Sequence, residues 1–318
     1  MPVYDVDPEV AEGLAEIFGV DPGLPLARGD WRARRAATHA MFAEMWRLRP
    51  PPVDVATEDV VIAGGSGQPM TVRVYRKRGQ EEGAVLLYLH GGGMIMGDLE
   101  THDGVCRTYA SDTGLAVVAV DYRRAPEHPF PAPVDDCVAA LGWIATGGVR
   151  LGLDPARVVI GGESAGGGLA AAVALRAGDE GGPRPVGQLL LYPMLDDRTY
   201  VKDEALERVA VWSYEDHVTA WSCYLGAGVA SRRAAAPLRA DDLRGLPPTY
   251  LECGELDVFR QENVAFALRL LQAGVRLEMH LHPGAPHAFE LFAPRAAVSR
   301  RAMVDRRRAL HAFVGIGP

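Results

Sequence analysis

In the stretch Arg157-Val158-Val159-Ile160-Gly161-Gly162-Glu163-Ser164-Ala165-Gly166-Gly167-Gly168, a short β-branched run passes through a G-x-S-x-G pentapeptide into an alanine-rich segment. The run Arg157–Ile160 reads as a buried strand and the alanine-rich segment as a helix. Ser164 then occupies the sharp turn between them. Glycines are needed on both sides, because a side chain there would collide with the neighbouring strand and helix, and the turn holds the hydroxyl clear of the sheet. A glycine-rich helix start in any α/β protein is the plainer reading. The strand before and the helix after favour a nucleophile.

Working outward, similar apolar runs recur at Ala84–Leu89, Leu115–Val120, Gln188–Tyr192, Thr249–Glu252 and Arg276–His280, with helical patterns such as Val134–Ala145 and Asn263–Ala273 between them. Short continuous apolar runs suit strands buried on both faces, so the expected fold is α/β with a mostly parallel central sheet flanked by helices. Val60–Ile62 and Met70–Tyr75, separated by Gly64-Gly65-Ser66-Gly67, read as two antiparallel strands at one edge. Two stretches break the rhythm: Pro8–Arg49, ended by Pro50-Pro51-Pro52, and Leu206–Leu225, with Trp212, Tyr214, Trp221 and Tyr224. Both read as a helical cap. The expected division is a cap segment at 1–52 and a catalytic body at 53–318 with a cap insertion at about 200–228.

A serine hydroxyl is a weak nucleophile near neutral pH and needs an adjacent base and donors for the oxyanion that forms on attack. His90-Gly91-Gly92-Gly93 follows the Ala84–Leu89 strand, where residues without side chains can turn backbone N–H groups toward a substrate carbonyl. Amides of this glycine run and of Ala165 are the expected donors. In the chain order Ser, acid, His, the loop Pro283-Gly284-Ala285-Pro286-His287 supplies His287 as the base. Asp257, after the Thr249–Glu252 strand and one αβ unit before His287, is the expected acid; Glu255 is its rival, and an N-cap role is the plainer reading. His280, His282 and His311 read as structural or surface residues. His102 and His128 read as structural hydrogen-bonding groups, since no metal-ligand spacing accompanies them, and Glu163 as a partner for nearby backbone. Met94, Met96 and Trp212 are the candidates for substrate contact.

Composition excludes other classes. The chain has 318 residues, 48% hydrophobic and 23% charged, as in ordinary globular domains. A formal net charge of −8 disfavours nucleic acid and an anionic membrane surface as partners. The cluster Arg300, Arg301, Arg306, Arg307, Arg308 reads as a solvated helix face. Cys106, Cys137, Cys223 and Cys253 lack CxxC spacing and read as buried, inert thiols. Met1–Val10 has neither the basic nor the apolar region of a signal peptide, and no apolar run is long enough to cross a membrane, so the cytoplasm is the expected location. No cofactor and no metal is called for; the expected partner is a small-molecule ester, with homodimer formation left open.

Several blocks stand in a recognisable order: His90-Gly91-Gly92-Gly93 with Gly97-Asp98-Leu99-Glu100-Thr101-His102-Asp103; Asp121-Tyr122-Arg123-Arg124-Ala125-Pro126-Glu127-His128-Pro129-Phe130-Pro131-Ala132; Gly162-Glu163-Ser164-Ala165-Gly166-Gly167; then Leu246-Pro247-Pro248-Thr249-Tyr250 and Leu268–Val275. Together they resemble the hormone-sensitive-lipase-like bacterial esterases of the α/β-hydrolase superfamily over most of the chain. The resemblance implies a Ser164–Asp257–His287 triad, an oxyanion hole from Gly92, Gly93 and Ala165, and carboxylic esters with short acyl chains as substrates. An amidase or formamidase would use the same triad, and a ligand-binding receptor on this fold would have lost the histidine. The chain departs from the family pattern at Val258 and Phe259 in the acid loop, at Met94 and Met96 where an aromatic residue is common, at Arg124 in place of leucine, and at Ala288 in place of glycine after His287.

Overall fold

The structure, a computed structural model, describes residues 4–19, 26–199, 201–226 and 235–317. Its eight strands are β1 (Val55–Ala63), β2 (Pro69–Lys77), β3 (Gly83–Leu89), β4 (Ala116–Val120), β5 (Leu153–Glu163), β6 (Gly187–Leu191), β7 (Thr249–Leu256) and β8 (Leu277–Pro286). They form one sheet in the order β1-β2-β4-β3-β5-β6-β7-β8. As the glycine-rich gap implied, β1 and β2 pair antiparallel at an edge, and β2 also meets β4 antiparallel. All remaining pairs are parallel.

Helices α3 (Asp103–Thr113), α4 (Ala132–Thr146), α5 (Ala165–Asp179), α8 (Arg260–Gln272) and α10 (Ala297–Phe313) cover the two faces, with a short α9 (Phe289–Phe292) before the last. Alternation along β3 explains the layering. Val85, Leu87 and Leu89 join a core with α4, α5 and α8, while Ala84, Leu86 and Tyr88 join a second core with α3 and α10. Each leucine so buried stabilises the fold by roughly 1.5–3 kcal/mol.

The two interruptions in the rhythm are helical, but neither is continuous. Pro8–Arg49 divides into α1 (Pro8–Phe18) and α2 (Trp31–Leu48). Gly19, at a φ of 74°, closes α1, and the Asp30 side chain caps α2 by accepting from Ala33 N. The expected Leu206–Leu225 helix is instead a single turn, α6 (Glu204–Glu207), followed by α7 (Tyr214–Leu225). Ser213 opens α7 through a capping box with Asp216, so the chain before it is free to run as a loop carrying Trp212. Of the expected cap insertion, residues 200, 227 and 228 lie outside the described residues.

Arg34 joins α2 to α7. Its Nε donates to Asp216 Oδ1 at 2.7 Å, and its other nitrogens donate to the carbonyls of Leu26, Ala27 and Asp30. Among the described residues, no helix is long and apolar enough to cross a membrane.

Candidate active site

Parallel strands deliver their C-terminal ends to the same edge of the sheet, and the site is assembled there. Ser164 follows β5 directly, with φ 55° and ψ −120°. A Cβ on Gly162 or Gly166 would overlap the carbonyl oxygen of Leu89, so both flanking glycines are dictated by the adjacent strand. The turn is fixed by Ser164 N donating to Leu191 O at 2.8 Å and by Ser164 O accepting from Met194 N at 2.9 Å. Met94, Tyr192 and Ala288 are the other non-glycine residues at positive φ among the described residues. Such backbone costs on the order of 1–3 kcal/mol per residue and persists where the surroundings enforce it.

Asp257 and His287 meet because of the register between β7 and β8. Leu256 pairs with Pro286 beyond an irregularity at Gly254, so the next residue on each strand stands beside the other. His287 Nδ1 lies 2.6 Å from Asp257 Oδ2, and His287 Nε2 lies 3.0 Å from Ser164 Oγ. With its proton on Nδ1, the imidazole donates to the carboxylate and accepts from the serine hydroxyl. Asp257 Oδ1 accepts from Phe259 N at 2.9 Å, which leaves Oδ2 to the histidine. All three residues are buried. His287 was expected in a loop; β8 instead continues to Pro286 and hands it over from a strand end. Glu255 turns away, accepting from Gly284 N at 2.9 Å.

The loop after β3 turns back on itself. Gly92 and Gly93 have φ of 107° and 61°, and the amides of Gly92, Gly93 and Ala165 donate no hydrogen bond among the described residues. Beneath the loop, His90 stacks on Tyr122 at 4.1 Å and 13°, and the Tyr122 hydroxyl donates to His90 O at 2.8 Å. Burial pulls the His90 imidazole down to about 3, so it stays neutral. Glu163 accepts from the Tyr88 hydroxyl at 2.7 Å and lies 2.7 Å from His102 Nε2, so its partners are side chains and not the expected backbone. Burial works to raise the Glu163 carboxyl, but the His102 imidazole and these hydrogen bonds outweigh it and hold the group below its usual range.

Ser164 and His287 open into a largely apolar cavity of about 1140 Å³, with walls from α1, α2 and the 207–216 stretch. Met96 and Trp212 line it as expected. Met94 does not: it is 1% exposed, packs in the core, and offers its carbonyl to Ala125 N. Trp212 sits 6.2 Å from the His287 ring, whereas Trp221 and Tyr224 pack tilted against each other in the core, away from the cavity. Tyr192 and Phe259 press their edges on His287 at 4.8 and 5.1 Å. Both were passed over in the sequence, although each stands just after a parallel strand, where site residues gather.

Other expectations need correction. Arg306 is not on a solvated face: it is 2% exposed and paired with Glu252 and Glu290. Cys223 is half-buried, while Cys106, Cys137 and Cys253 are buried; burial pushes all four thiols up. His102 is a buried hydrogen-bonding group as expected, with Nδ1 also 2.9 Å from Thr101 Oγ1. His128 is exposed, and its backbone N–H donates to Arg124 O. Arg124 gains an account in its hydrogen bond to Gly97 O and its 3.3 Å pairing with Asp121.

A family profile described as alpha/beta hydrolase fold matches residues 86–291. The chain is 36% identical to Esterase LipI of Mycobacterium tuberculosis over 83% of its own length and 85% of that protein. It is 32% identical to an ethyl acetate hydrolase of Pseudomonas putida over 73% of this chain and 74% of that one. A solved structure named Bacterial Heroin Esterase superposes with a TM-score of 0.86 at 38% identity, covering 98% of each chain. With the blocks of sequence, the sheet order and these relatives in agreement, the chain belongs to the hormone-sensitive-lipase-like esterases of the α/β-hydrolase superfamily.

Proposed function

We propose that this chain is a serine carboxylesterase that hydrolyses small esters with short acyl chains, using Ser164, His287 and Asp257. The observation that carries the reading is the unbroken hydrogen-bonded line from Asp257 through His287 to Ser164, at the wall of an apolar cavity. Ser164 Oγ attacks the ester carbonyl while His287 Nε2 takes its proton. The amides of Gly92, Gly93 and Ala165 receive the negative charge that develops on the carbonyl oxygen. His287 returns the proton to the leaving alcohol, and the acyl group stays on Ser164. Water then enters and loses a proton to His287 as its oxygen attacks the acyl carbon; the bond to Ser164 Oγ breaks, His287 returns the proton to that oxygen, and the acid leaves. Asp257 holds the tautomer and stabilises the imidazolium in both halves.

Met96 and Trp212 contact the substrate, and α1, α2 and the stretch 201–226 cap the catalytic body. A net charge of −8 supports a small ester over nucleic acid as the partner. The esterase names of the relatives, ethyl acetate hydrolase among them, support the ester class.

The test is turnover of p-nitrophenyl acetate and butyrate together with labelling by a phosphonate probe. Turnover, and added mass on the peptide containing Ser164, are expected. Full activity in Ser164→Ala would overturn the mechanism.

A further inference from the structure

The last helix carries a guanidinium that solvent does not reach. Arg306 Nε donates to Glu252 Oε1 on β7 at 3.0 Å, and Nη1 donates to Glu290 Oε1 on α9 at 2.8 Å. That same Glu290 oxygen accepts from the Tyr192 hydroxyl at 2.5 Å, while Glu290 Oε2 has no hydrogen-bond partner among the described residues. Tyr192 is tied a second time through its backbone, where N donates to Glu252 O at 2.6 Å. Its ring edge then meets the His287 imidazole at 4.8 Å and 66°.

Two routes from His287 therefore end on one carboxylate. The ring contact leads through Tyr192 to Glu290, and the chain itself reaches Glu290 three residues after His287. Two buried carboxylates stand about one guanidinium, and His282 Nε2 lies 3.6 Å from Glu252 Oε2. Apolar side chains of similar volume would hold the fold as well or better, so stability alone does not account for the cluster. Tyr192 is also held at a φ of 36°, a conformation that a bulky residue keeps only where its surroundings require it.

We propose that Tyr192 and Glu290, fixed by Arg306, are positioning residues: they set the His287 ring between Ser164 and Asp257, and the Glu290 carboxylate favours the imidazolium formed in each proton transfer. The inference rests on the esterase reading. The titratable and charged groups about His287 are Asp257 on Nδ1, Glu163 with His102 beside Ser164, Glu290, Arg306 and Glu252 with His282 behind Tyr192, and Arg34, Asp216, Lys202, Glu207 and Arg208 around the cavity.

The experiment compares Tyr192→Phe, Glu290→Gln and the double variant with the wild type on p-nitrophenyl butyrate across pH. Tyr250→Phe is the control, since it removes a hydroxyl from Glu252 on the other side of Arg306. We expect kcat to fall about tenfold in each single variant, with KM within about twofold. The double variant should fall by less than the product of the two. Loss of the Glu290 charge should move the acid limb of the kcat/KM profile down by about half a pH unit, because the imidazolium is less favoured. Tyr250→Phe should leave kcat and the acid limb in place.

Variants that lower the unfolding midpoint as Tyr250→Phe does, yet keep the wild-type kcat and pH profile, would reduce the cluster to a structural one and overturn the proposal. Tyr192→Phe keeps the ring and tests the point even if Glu290→Gln does not fold. A wild type that turns over no ester overturns the esterase reading, and this role with it.

Discussion

Asp257 places its Oδ2 2.6 Å from Nδ1 of His287, while Glu255, two residues earlier, spends its carboxylate on the Gly284 amide. The difference follows from register, since only the residue after Leu256 stands beside the residue after Pro286. Asp257→Asn should therefore lower kcat by roughly four powers of ten, by loss of the tautomer and of the charge that stabilises imidazolium. Glu255→Gln should keep kcat within about threefold and weaken the fold by about 1 kcal/mol. Steady-state kinetics and urea unfolding of both variants check this. A folded Glu255→Gln as inactive as Asp257→Asn would reverse the assignment.

Acid should weaken the fold in two windows. Burial pulls His90 down to about 3 and His217 to about 4, against about 6.5 for a free imidazole. The unfolded chain takes up protons that the folded chain refuses, so stability is full above about pH 6.5 and falls as pH drops, the His217 share being lost by about 4 and the His90 share by about 3. Glu252 adds a second loss between about 4.5 and 2: burial works to raise it, but the Arg306 charge holds it at about 2 in the folded state. Urea midpoints measured against pH should show both windows. In His217→Gln the slope between pH 6.5 and 4 should shrink by up to one proton, about 1.4 kcal/mol per pH unit. An unchanged slope would mean that His217 does not titrate differently on unfolding.

Arg306 and Arg301 lie on the same helix and should respond to substitution very differently. Arg306→Met leaves Glu252 and Glu290 buried without their cation and should cost about 3–5 kcal/mol. Arg301 is exposed, and Arg301→Met should change stability by no more than about 0.5 kcal/mol. Equal urea midpoints for the two variants would contradict the packing of the last helix.

These cases mark what a one-dimensional reading can reach. Ser164 was legible because its turn leaves a local signature, glycines where the backbone of Leu89 approaches. Asp257 and His287 were legible from their order and from the strands before them. Arg306 was not: a run of arginines on an amphipathic helix has the pattern of a wet face, and its two partners lie on β7 and α9, 54 and 16 positions away. Met94 misled for a related reason. Two methionines flanking Ile95 look equivalent in sequence, but the loop turns at a Met94 φ of 58°; both are buried in the core, and only Met96 reaches the cavity wall. The helix breaks did leave local signals, Gly19 after one helix and Asp30 and Ser213 at the starts of others, since such side chains favour caps over helix interiors; the apolar periodicity on either side outweighed them.

Acyl-chain preference should follow from the cavity wall built by α1. Leu14, Phe18, Met41, Phe42, Leu291 and Phe292 line its apolar part, and Leu14 and Phe18 belong to a helix outside the sheet layers. Each methylene of the acyl chain that fits should add about 0.8 kcal/mol of binding through burial, about fourfold in kcat/KM, until the wall is met. Beyond that point further carbons must displace the cap or stay in water. Across a series of p-nitrophenyl esters, kcat/KM should therefore rise to a maximum at short acyl chains and fall steeply by decanoate. Leu14→Trp fills the cavity and should move the maximum toward acetate, whereas Leu14→Ala should move it toward longer chains. Arg34→Leu removes the clamp between α2 and Asp216 on α7, and should flatten the profile by letting the cap give way to longer chains. Rapid hydrolysis of emulsified long-chain triglyceride, with a jump in rate at the oil interface, would show that the cap opens freely and sets no limit on chain length.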